Sequence, residues 1–78
     1  MTSKISVFGA GSWGTALAIQ AARNGTQTML WGHNPDHMRN LAQDKQNKRY
    51  LAGLTFPELL QVTDNLKVAA QYSEILLI

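Results

Sequence analysis

Six consecutive residues, Gly9-Ala10-Gly11-Ser12-Trp13-Gly14, carry the chemistry most easily read from this chain. Glycines spaced G-x-G-x-x-G suit a backbone that turns tightly, admits a bulky anion and then starts a helix packed on the preceding strand. Gly9 permits the turn. Gly11 puts no Cβ in the way of a pyrophosphate, and Gly14 lets the helix lie close to the sheet. The N–H groups and positive end of a helix beginning near Ser12 or Trp13 would then face phosphate. The flanks agree, because Lys4-Ile5-Ser6-Val7-Phe8 has strand character and an alanine-rich helical stretch follows. The chemistry implied is dinucleotide binding, with Gly9, Gly11, Ser12, Trp13 and Gly14 against the cofactor.

The tip of the second predicted strand, Gly32-His33-Asn34, bears on which dinucleotide is preferred. NAD-binding domains commonly place Asp or Glu there to accept hydrogen bonds from the ribose hydroxyls. No carboxylate stands at this tip to repel a 2′-phosphate, and His33 can donate to one or stack near the adenine. This favours NADPH over NADH. Asp36 suits a helix-start charge better, and Arg39, one turn into the next helix, has two readings: a solvated side chain first, and a side chain reaching a 2′-phosphate second. Trp13 has two readings, a ring lying over the dinucleotide or an aromatic packed beneath the helix.

Other constellations fall short of chemistry. His33 and His37 lack a third metal ligand nearby. Asp44, Glu58 and Asp64 are scattered, and Ser12 has no base arranged to make it a nucleophile. No catalytic residue is expected within this chain.

These residues need elements to position them. Residues 4–8 predict a strand. A helix is predicted from about 12 to 24, with Trp13, Ala16, Leu17 and Ala21 on its inward face and Ala18 and Ala22 beside it. Asn24-Gly25 ends that helix, and residues 26–31 form a second strand. Asn34 as cap and Pro35 at the first position begin a helix reaching about Lys45, with Met38, Leu41 and Ala42 inward. Residues 46–57 read as irregular. A short strand over Leu59–Val62, a helix capped by Thr63-Asp64 and a final strand from Glu74 complete the pattern. The alternation specifies an α/β fold, a Rossmann-like parallel sheet with crossover helices. Consecutive strands should lie side by side, with the cofactor across their C-terminal ends.

Composition sets outer limits. The chain has 78 residues, near the lower edge for an independent domain. Apolar content is 45% and charged content 15%, the latter below the usual share of about a quarter. The absence of cysteine excludes disulfides and thiolate metal sites. A net charge of +2, with Lys45, Lys48 and Arg49 as a solvated helix end, argues against nucleic acid as a partner. No apolar run has the length of a membrane span and no signal peptide is visible, so a cytoplasmic protein is expected. The chain stops inside the apolar run Glu74-Ile75-Leu76-Leu77-Ile78. The expectation is therefore that residues 1–78 are the N-terminal part of a longer protein.

The segments GAGSWGTALA, LWGHNPDH, NKRYLAG and EILLI, in that order, resemble the N-terminus of bacterial NAD(P)-dependent glycerol-3-phosphate dehydrogenases from Lys4 to Ile78. GSWGTALA is far more specific than the bare glycine pattern. The resemblance implies reversible reduction of dihydroxyacetone phosphate to sn-glycerol 3-phosphate, feeding phospholipid synthesis. It also implies a helical C-terminal domain that holds the substrate and a catalytic lysine, with a homodimer as the possible assembly. Ser12, Trp13 and His33 match the family's cofactor-binding positions, and Tyr50 is placed near the cofactor. Ala52 stands where the family usually has proline. Two other readings remain: a related hydroxyacyl or phosphogluconate-type dehydrogenase, and a non-catalytic dinucleotide-binding module.

Overall fold

The computed structural model describes residues 4–49, 51–73 and 75–77. Strand β1 (Lys4–Phe8) leads through the glycine turn into helix α1 (Ser12–Arg23), then β2 (Gln27–Trp31) and α2 (Pro35–Asp44). A two-stranded hairpin, β3 (Gln46–Asn47) and β4 (Leu51–Thr55), comes next. The chain closes with β5 (Leu60–Thr63), α3 (Leu66–Tyr72) and β6 (Ile75–Leu77). Four strands form a parallel sheet in the order β5-β2-β1-β6.

That order corrects one expectation. β1, β2 and β5 are neighbours in sequence order, but β6 returns to the far side of β1 instead of extending the sheet beyond β5. Counting parallel strands alone, the order is third, second, first, fourth, the arrangement of dinucleotide-binding sheets. The order thus reverses between β1 and β6, and in sheets of this kind ligands bind outside the carboxyl ends of the strands at such a reversal.

Alternation along β1 assigns its two faces to different helices. Val7 joins one buried cluster with Ala18, Ile19 and Ala22 of α1, Leu30 of β2, and Met38 and Leu41 of α2. Ser6 points the other way, where its hydroxyl donates to the Ala69 carbonyl of α3 at 2.7 Å. A serine in a buried strand is thus satisfied by a helix carbonyl, leaving no uncompensated polar group between α3 and the sheet.

The helix ends follow local rules. The Asn34 side chain accepts from the His37 N–H with Pro35 at the first position, and α2 ends at Lys45 in the left-handed region. Gly25 has φ of 90° just after α1. At α3 the cap is Asn65, accepting from the Val68 N–H at 3.1 Å, and not Thr63-Asp64 as expected. Thr63 Oγ1 instead accepts from the Asn65 N–H, fixing the turn that presents the cap.

Four further expectations are corrected. The inward face of α1 is Thr15, Ala18, Ile19 and Ala22, while Ala16 is exposed and Leu17 and Ala21 are half-buried. The alanines spread around the helix, so their spacing alone could not separate one face from its neighbour. Ala42 is exposed although Met38 and Leu41 are buried. Residues 46–57 are not irregular, because β3 and β4 pair antiparallel there with a register shift at Gln46/Asn47. A strand of two residues is too short to show alternation. The strand read at Leu59–Val62 lies one residue later. Of the final strand, Glu74 and Ile78 lie outside the described residues.

Candidate functional site

The site forms where β1 runs into α1. Gly9 has φ of +123°, which a side-chain-bearing residue rarely adopts. Its N–H donates to the Trp31 carbonyl at 2.8 Å, so the turn is held by the end of β2. Gly14 is required for a different reason: a Cβ built there would lie 2.0 Å from the Gly9 carbonyl oxygen. The helix can approach the turn this closely only without a side chain.

Gly11 differs from both. Its φ of −81° and ψ of −168° are open to any residue, and a Cβ built there would meet nothing within 4 Å. Neither backbone strain nor packing within the chain explains glycine at this position. The space where a Cβ would project is open to a group approaching from outside. α1 begins here with no side-chain cap and no acidic residue in its first turn. The first N–H inside the helical ladder is that of Thr15, donating to the Gly11 carbonyl at 3.0 Å. The N–H groups of Ser12, Trp13 and Gly14 precede it, and the positive end of the helix faces the opening. These residues fit the pyrophosphate of a dinucleotide.

A cleft of about 260 Å³ adjoins this turn, lined by Gly9, Ala10, Gly11, His33, Asn34 and His37. The structure therefore brings His33, at the tip of β2, to the same opening as the glycine turn. The His33 ring is tilted against Trp31 with centroids 6.5 Å apart, and Trp31 Nε1 donates to the Asp64 carbonyl at 3.1 Å. Asp36 pairs with Arg39 at 3.3 Å on the exposed side of α2. Trp13 is 71% exposed, which removes its reading as an aromatic packed beneath the helix. Ser12 is exposed at the helix start. Tyr50 lies outside the described residues. Among the described residues no three His, Asp or Glu side chains gather as a metal site, and no helix is long and apolar enough to cross a membrane.

One residue of this region escaped the sequence reading. Asn47 is wholly buried. Its Nδ2 donates to the Ala10 carbonyl at 3.0 Å and to Thr15 Oγ1 at 2.9 Å. Its Oδ1 lies 3.2 Å from His37 Nε2. An asparagine between Gln46 and Lys48 in a polar stretch gives no local sign of burial. Only the tertiary fold makes it visible.

A parallel sheet with reversed strand order, and an uncapped helix start over a glycine with an empty Cβ position, together define a Rossmann-type dinucleotide-binding domain. Comparison with known proteins narrows the class. Residues 4–78 match the family described as the N-terminus of NAD-dependent glycerol-3-phosphate dehydrogenase, and the chain belongs to that family. It is 51% identical over 76 residues to glycerol-3-phosphate dehydrogenase (NAD(P)+) of Mannheimia succiniciproducens, covering 97% of this chain and 23% of that protein. The enzyme of the same name from Aeromonas hydrophila is 53% identical over 74 residues, covering 95% and 22%. The crystal structure of glycerol-3-phosphate dehydrogenase from Coxiella burnetii superposes with a TM-score of 0.92 at 37% identity, covering 96% and 23%. The chain thus spans about 23% of the length of these curated relatives.

Proposed function

We propose that this chain is the cofactor-binding part of an NAD(P)-dependent glycerol-3-phosphate dehydrogenase, interconverting dihydroxyacetone phosphate and sn-glycerol 3-phosphate. The observation that carries the reading is Gly11, whose empty Cβ position and ordinary backbone are explained by a pyrophosphate and by nothing within the chain. Family membership supplies the substrate. Bound NAD(P)H contributes the hydride exchanged with the substrate carbon.

The chain's own residues bind and orient. The N–H groups of Ser12 and Trp13 donate to the pyrophosphate above Gly11, where the end of α1 favours negative charge. The exposed Trp13 ring is free to lie over the bound dinucleotide. His33 meets the adenosine end, with its ring against Trp31, and the family resemblance adds Tyr50 as a further cofactor-binding candidate. By the family resemblance, the proton required at the substrate oxygen comes from a lysine of the helical domain, outside these 78 residues.

NADPH is the preferred cofactor in this proposal. The β2 tip carries Gly32, His33 and Asn34 in place of a carboxylate, and the next acid, Asp36, is engaged by Arg39. The test is titration of the protein carrying this chain with NADPH and with NADH, followed by cofactor fluorescence. Binding of both, tighter for NADPH, is expected. Absence of binding to either would remove the reading, and tighter NADH binding would reverse the preference.

A further inference from the structure

We infer that Asn47 is a positioning residue for the phosphate-binding turn, acting through Ala10 and Thr15 on the N–H groups that meet the cofactor. The inference rests on the dinucleotide reading above and adds to it a residue that touches no cofactor itself.

Asn47 sits on β3, more than thirty residues from the turn, yet both hydrogens of its Nδ2 are directed at it. One goes to the Ala10 carbonyl between Gly9 and Gly11, the other to Thr15 Oγ1 in the first turn of α1. Ala10 and Thr15 bracket the four residues 11–14, which include the N–H groups assigned to pyrophosphate. A peptide unit is planar, so holding the Ala10 carbonyl also holds the Gly11 N–H pointing the opposite way. Holding Thr15 sets how far the helix start is rotated beneath the turn.

The orientation of the amide is itself specified. The Ala10 carbonyl accepts only, so Nδ2 must face it. Oδ1 then faces His37, whose Nε2 must be the protonated nitrogen in order to donate. His37 is in turn held at the start of α2, where its N–H donates to Asn34 Oδ1. The chain of contacts therefore runs from the cap of α2, through His37 and Asn47, to the phosphate turn. The same cleft is lined by Asn34, His37, Ala10 and Gly11. Inside the protein, hydrogen bonds of a fully satisfied network keep a single geometry better than packing alone.

The alternative role for Asn47 and Thr15 is to fill space. Two substitutions at Thr15 separate the roles because they change volume and hydrogen bonding in opposite ways. Thr15→Val keeps the volume and loses the acceptor for Asn47. Thr15→Ser keeps the acceptor and loses a methyl group. Asn47→Asp is close in shape but sets a carboxylate oxygen against the Ala10 carbonyl and adds negative charge beneath the anion site.

The experiment is titration with NADPH of the protein that carries this chain, unsubstituted and with each substitution. Asn47→Asp should weaken NADPH binding about tenfold or more, Thr15→Val roughly fivefold, and Thr15→Ser less than about twofold. If Asn47→Asp does not fold, the Thr15 pair decides alone. NADPH affinity in Thr15→Val within about twofold of the unsubstituted protein, or a loss in Thr15→Ser as large as in Thr15→Val, overturns the inference. Failure of the unsubstituted protein to bind NADPH is a different result, and it removes the dinucleotide reading itself.

Discussion

Three glycines in one motif answer to three different constraints, and the proposed function assigns one of them, Gly11, to a ligand. Gly9 is set by its φ of +123° and Gly14 by the 2.0 Å approach of the Gly9 carbonyl. Gly11 is set by neither. Gly11→Leu is therefore expected to leave the fold intact while blocking the opening. Losing two hydrogen bonds to charged phosphate, each about 1.5–3 kcal/mol, predicts NADPH binding weaker by on the order of a hundredfold or more. Circular dichroism and cofactor titration on the same sample check both halves, and unchanged affinity would sink the assignment of the turn. At the β2 tip, His33→Asp should weaken NADPH about tenfold while affecting NADH less, through repulsion of the 2′-phosphate. Equal effects on the two cofactors would mean that His33 does not face that phosphate.

Elements show where stability should respond. Gly14→Ala forces α1 away from the turn and should cost at least the ~1–3 kcal/mol typical of overpacking, measured by denaturant unfolding. At α3, Asn65→Ala should cost ~1 kcal/mol because the side chain caps the Val68 N–H. Asp64→Ala should stay within about 0.5 kcal/mol; the reverse order would restore Thr63-Asp64 as the cap. This pair marks how far the sequence could be read. β1, α1, β2 and α2 were legible because period, cap and glycine stop coincide, as at Asn34-Pro35 and Asn24-Gly25. The inward face of α1 was not, since alanines on several faces erase the contrast between buried and exposed positions. The β3–β4 hairpin was not legible either. Gln46-Asn47 is set by pairing with β4 and by the bonds of Asn47 to a turn far away in sequence. The glycine motif and His33 were legible as binding candidates, whereas Asn47 acts through contacts that no local pattern encodes.

At the scale of the molecule, the return of β6 to the far side of β1 places the glycine turn at the reversal of strand order. The two faces of β1 then carry α1 and α3 separately, through Val7 and through the Ser6 bond to Ala69. The proposed cofactor site depends on this whole arrangement, since the turn is held by the Trp31 carbonyl, by α1 and by Asn47 together. Saturation with NADPH at a hundred times its Kd should stabilise the folded state by about 2.7 kcal/mol, read as a raised melting temperature. The Gly11→Leu protein should show no such rise. The most direct measurement is a crystal structure of the protein carrying this chain in complex with NADPH. Pyrophosphate oxygens within about 2.7–3.2 Å of the Ser12 and Trp13 backbone nitrogens, above Gly11, are the expected result. A pyrophosphate bound elsewhere, with open solvent still above Gly11, would contradict a phosphate-binding role for the turn.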